Sequence, residues 1–183
     1  MIQFLPLSIF AGYAFRYGVP TDDRWVTAFQ LGGVTALPQL IFVLRQSPPM
    51  NRLVLGANVW LFTGGLAAFT QQWWLMRLYG VLGESGIFLF IAGAGVVTTL
   101  AAPAGFIGAI DAPPAAIRRA SLYLLGATCL AMAASVVFRG NPAFGAALPV
   151  MALALLQRTL VTRVRAGQDA PVAAPRPMSL GGL

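Results

Sequence analysis

Side chains able to do acid–base or nucleophilic chemistry are scarce here: one Glu, four Asp, one Cys and no His in 183 residues. Glu84 is the only carboxylate set directly against a long apolar run. An acid within a membrane is costly and marks a functional position by default, as a proton carrier or gate. A relay needs a partner, and chain order places only Arg77 or Arg139 at its end, with Arg158 at the opposite one. The plainer role for Glu84 is an interfacial anion in the first turn of the following helix, at the positive end of its dipole. The neighbouring Trp73 and Trp74 favour that role, since such rings collect at membrane surfaces. Cys129, alone in an apolar run, reads as a small buried hydrophobe and allows neither an intrachain disulfide nor a thiolate metal cluster. Gly93, Ala94 and Gly95 follow no strand, so they signal close helix packing and not a dinucleotide loop. Asn58, Gln30 and Gln39 suit interhelical hydrogen bonds, or the lining of a conducting path. No catalytic constellation, cofactor site or metal site is expected, and so no enzyme.

These residues must be held by membrane helices. Residues 85–110 run for 26 positions without a charge. As one helix they would reach ~39 Å, beyond the ~30 Å hydrocarbon core of a bilayer. Pro103 offers the place to shed the excess, either by a kink or by a helix end near Ala102, with residues 104–110 lying in the interface. Four further spans are expected: 25–44, 53 to about 70, 120–138 and 143 to about 161. Thr21, Asp22 and Asp23 supply capping and dipole chemistry ahead of the first of them. Gly64 and Gly65 in the second permit close approach of a neighbouring helix, and Ala127, Ala131 and Ser135 give the fourth a small-residue face. Pro38, Pro103 and Pro149 stand in three spans of the same direction, a pattern open to two readings: an internal repeat like those of transporters, or chance in a chain this rich in Ala and Leu. Residues 1–15 are apolar but short, and form either a re-entrant or interfacial segment or a short sixth span. The expected architecture is an all-α polytopic transmembrane bundle over residues 1–162, followed by a disordered cytoplasmic tail, 163–183.

Composition agrees: 58% of residues are hydrophobic and 9% charged, against about 25% charged in a soluble domain. The basic residues are all Arg, placed singly between apolar runs, so the net charge of +7 reads as topology signals and not as a nucleic-acid surface. Arg45, Arg52, Arg118, Arg119, Arg158, Arg163, Arg165 and Arg176 fall on one side, and Arg16, Arg24, Arg77 and Arg139 on the other. The richer side is expected to be cytoplasmic, with the C-terminus inside the cell.

The opening QFLPLSIF and the stretch LFTGGLAAFTQQWWLMRLYGVL resemble the bacterial intracellular septation protein A family, also called inner-membrane-spanning proteins. Gly64, Gly65 and Leu66 stand at the family's glycine segment, and Trp74, Leu75, Met76 and Arg77 where it has a Phe-Ile-Lys stretch. Gln71 and Gln72 replace its acidic pair. The resemblance implies a five-span protein of the inner membrane that serves envelope synthesis and cell division through membrane-protein partners, with no enzymatic activity. The other expectation is a small oligomeric transporter or channel, or an accessory subunit, with Asn58, Gln30 and Glu84 lining a path.

Overall fold

A computed structural model describes residues 4–18, 20–45, 51–110 and 112–166, and these are mostly helical, with no strand among them. The order is α1 (Leu5–Ala14), α2 (Asp22–Arg45), α3 (Arg52–Phe69), α4 (Trp73–Leu82), α5 (Ser85–Ala101), α6 (Pro114–Val137) and α7 (Leu148–Ala166), with a π-helical turn at Ala143–Ala147 leading into α7. α2, α3, α6 and the π-turn with α7 are each long and apolar enough to cross a membrane, and α4 with α5 make a fifth, bent pair. The chain is a multi-pass membrane helix bundle. α7 continues to Ala166, so the expected break at residue 163 falls inside a helix, with Val164 packed against the core. Residues 167–183 lie outside the described set.

Local chemistry sets the helix limits. Thr21 Oγ1 accepts from the Arg24 amide at 3.4 Å, Asp22 and Asp23 occupy the first turn of α2, and Arg45 the last, so both ends of the dipole are matched. Asn51 Oδ1 accepts from the Leu53 amide at 2.9 Å and starts α3. Pro149 cannot donate to the carbonyl four residues back, and its ring crowds that carbonyl. The chain widens there instead, and the Leu148 amide reaches the Ala143 carbonyl, five residues back.

α2 and α3 are antiparallel along a glycine seam. A Cβ on Gly33 would lie 2.8 Å from the Gly65 Cα, and one on Gly65 would lie 2.7 Å from the Phe29 carbonyl oxygen, so only backbone fits between them. Gly64 leaves room for the Phe29 ring. α3 and α5 meet in the same way, with a Cβ on Gly56 falling 2.6 Å from the Ile91 Cα. In a bilayer such proximity replaces the hydrophobic drive that water would give, because it multiplies dispersion contacts. Phe10, Phe29, Trp60 and Tyr79 interlock above the seam, with Phe29 centroids 4.8 Å from Phe10, 5.0 Å from Trp60 and 5.1 Å from Tyr79. Such pairs are worth about 0.5–1.5 kcal/mol each beyond area burial.

Of the two outcomes expected at Pro103, a kink or a helix end near Ala102, the helix end is found: α5 ends at Ala101, with Ala102 in extended backbone. Within the stretch 104–110, Ala104, Phe106, Ile107 and Ala109 are buried against protein, while Ile110 is exposed. They form a return loop tucked into the bundle. Ser121 Oγ on α6 accepts from the Phe106 amide at 2.9 Å, and Gln157 Nε2 on α7 donates to the Ile107 carbonyl at 3.2 Å. Gly95, not a helix partner, receives the Phe106 ring, while Gly93 faces open space. Cys129 is exposed on the outward face of α6 and is not buried.

α1 has ten residues, about 15 Å of helix and roughly half of a hydrocarbon core. It lies against α2 and α3, with Phe10 and Ala14 buried and Phe4 near Leu53 and Ala57. It is too short to cross alone.

Candidate functional site

The seven residues singled out by sequence do not converge. Gly64 and Gly65 form the α2 seam. Asn58 is 2% exposed in the middle of α3, and its Nδ2 has no hydrogen-bond partner among the described residues. It lines none of the cavities near Glu84, and Gln30 does not line them either. Trp73 and Trp74 are 50% and 61% exposed on α4, which runs at 96° to α5 and therefore lies across the end of the bundle. Met76 and Tyr79 turn inward from α4. The Tyr79 hydroxyl bonds to Thr63 Oγ1 and donates to the Trp60 carbonyl, fastening the helix to α3. Gly83, at φ 55°, makes the corner between α4 and α5.

The expected pairing of Glu84 with Arg77 or Arg139 is not found. Arg77 lines an open groove with Asp22 and Asp23 between the start of α2 and α4. Arg139 directs Nη2 to the Gly80 carbonyl at 3.4 Å. Glu84 occupies the N-cap position of α5 but makes no side-chain capping bond. It borders instead a cavity of about 390 Å³, the size of a small-molecule pocket, between α1, α5 and the π-turn. Phe10, Phe15, Trp25 and Trp60 border the same space, with Leu7 and Val150, and Met151 stands exposed at its edge.

A separate small void of about 10 Å³ lies among Phe4, Leu53, Ile91 and Leu153. A further space of about 400 Å³ is bordered by Asn51, Gly108, Gln157 and Arg158. Gln157 is 5% exposed there, and its Oε1 has no partner among the described residues. Sequence reading missed this crevice beside α7, because its walls come from the cap of α3, the return loop and α7. It also missed Arg52, counted as a loop charge but 6% exposed at the first position of α3. The second glycine pair, Gly32 and Gly33, was the one visible signal for the partner of Gly64 and Gly65. Among the described residues, no three His, Cys, Asp or Glu are grouped to hold a metal ion.

No family model matches the chain, and no curated protein or solved structure matches it significantly.

Proposed function

We propose that this chain is a non-enzymatic protein of the bacterial inner membrane that acts by contact with membrane proteins of envelope synthesis or cell division. Its C-terminus is then cytoplasmic, as the Arg distribution implies. The reading draws on the resemblance to the septation protein A family, and the observation that carries it is the dispersal of reactive groups. Asp22, Asp23 and Arg77 share an open groove, Glu84 borders an apolar cavity, and Asn58 is packed within α3. Among the described residues none of these places sets a nucleophile against a base. Two buried hydroxyls serve architecture: Ser121 holds the return loop, and Thr128 donates to the Leu124 carbonyl.

The test is crosslinking from native membranes followed by identification of the captured proteins. A reproducible set of envelope or division proteins is expected. Capture of copies of this chain alone would count against the reading.

A second reading, a small oligomeric transporter, has its own support in the two cavities bordered by α7, one beside Val150 and Met151 and one beside Gln157 and Arg158. Solute flux in proteoliposomes that Glu84→Gln abolishes would decide for it.

A further inference from the structure

We propose that the cavity beside Glu84 is a lipid site that seats the headgroup of a phospholipid carrying a primary ammonium, with the upper part of one acyl chain beneath it. The inference does not depend on which partners the protein has. It rests on a local inversion of charge. The chain carries +7 overall, yet this cavity is bordered by one carboxylate and no basic residue. The two arginines nearest in chain order face the Asp22 and Asp23 groove and the Gly80 carbonyl. Among the described residues no ion pair to Glu84 is found, and its partly exposed carboxylate borders a cavity open to a cation from outside.

The walls state what kind of cation fits. Phe10, Phe15, Trp25 and Trp60 surround the space, and aromatic rings attract ammonium groups while excluding strongly hydrated ions. Leu7, Val150 and Met151 continue the wall away from Glu84 and offer nothing to a polar solute, but they match hydrocarbon. The rim at Ser8, Ala147 and Met151 is exposed, so the cavity opens sideways between α1 and α7, where a bilayer lies against the bundle. Depth also agrees. Glu84 stands where α4 turns across the bundle end with Trp73 and Trp74 outward, at headgroup level, while Met151 lies a turn into α7. A volume of about 390 Å³ holds a headgroup and part of one chain, not a whole lipid. A primary ammonium is preferred to a quaternary one because its N–H groups can donate to the carboxylate.

The experiment is native mass spectrometry of the full chain released from vesicles containing equal phosphatidylethanolamine, phosphatidylglycerol and phosphatidylcholine with identical acyl chains. Wild type should retain phosphatidylethanolamine at least about tenfold over phosphatidylglycerol, the scale expected for one charge-assisted hydrogen bond. Glu84→Gln should abolish that preference with circular dichroism and melting unchanged. Ala147→Trp, which narrows the opening, should lower retention of all three lipids and keeps the test sound if Glu84→Gln does not fold. Equal retention of the ethanolamine and glycerol lipids by wild type would overturn the proposal. So would a preference that survives Glu84→Gln, or phosphatidylcholine retained as well as phosphatidylethanolamine.

Discussion

Adding one methyl group at Gly65 tests the seam between α2 and α3. The new carbon would sit 2.8 Å from the Gly33 Cα and 2.7 Å from the Phe29 carbonyl oxygen. Carbon atoms rest at about 3.5–4.0 Å, so the helices must separate by at least ~0.7 Å. A gap of that order forfeits roughly a quarter to a half of each dispersion contact it opens. The obstacle is backbone on both sides, so no rotamer change relieves it, and overpacking of this kind costs about 1–3 kcal/mol. Alanine also favours a helix over glycine by about 1 kcal/mol, which works the other way. Gly93→Ala supplies the control: it brings the same propensity gain, but nothing lies within 4 Å of the added carbon. The difference between Gly65→Ala and Gly93→Ala therefore isolates packing, and should be ~1–3 kcal/mol against Gly65. Reversible unfolding in mixed micelles, followed by circular dichroism, measures it. Gly65→Leu should do more damage than Gly65→Ala, and adding Gly33→Ala to Gly65→Ala should cost less than the sum, because one displacement relieves both clashes. If Gly65→Ala and Gly93→Ala change stability by the same amount, the seam does not hold the helices.

Ser121→Ala leaves the buried Phe106 amide without its acceptor, and the Ile107 amide loses its 3.4 Å contact to the same oxygen. Unfolding should then become easier by about 1–3 kcal/mol, and an unchanged midpoint would refute the anchoring role. Glu84→Gln should fold, insert and support the cellular role nearly as well as wild type, whereas alanine at both Trp73 and Trp74 should impair it. Complementation at matched membrane levels compares them, and a null phenotype for Glu84→Gln at normal abundance would favour the transporter reading. Cysteines introduced at Ser47 and Ala115, with Cys129 replaced, should react with impermeant maleimide only from the cytoplasm, and one at Asn141 only from outside. Reaction of Ala115→Cys from outside would reverse the orientation.

What could be read in the chain follows a physical divide. Long apolar helices with matched ends announce themselves, because transfer to hydrocarbon and end capping are local properties: α2 begins at Asp22 behind Thr21, and α5 ends just before Pro103. Hydropathy does not distinguish a residue touching lipid from one touching protein. That is why Cys129, which faces outward, was expected inside, and why Phe106 and Ile107, packed under Ser121, were expected at a surface. Gly64 and Gly65 were legible as a point of close approach, but the matching backbone at Gly33 required the pairing of two helices. Glu84 drew attention as the only Glu, while the company it keeps did not. Its cavity joins residue 7 to residue 151, and no local pattern connects positions so far apart.

The placement of α1 has a consequence for synthesis. Its ten residues leave the ribosome before α2, α3 and α7, whose surfaces hold them. Phe10 packs against Phe29 and Trp60, and Leu7 shares its cavity with Val150 of α7. A helix of this length gains too little from the bilayer to stay inserted by itself. The N-terminal segment must therefore wait in the interface while the later helices enter the membrane, and take its seat as one of the last events of assembly.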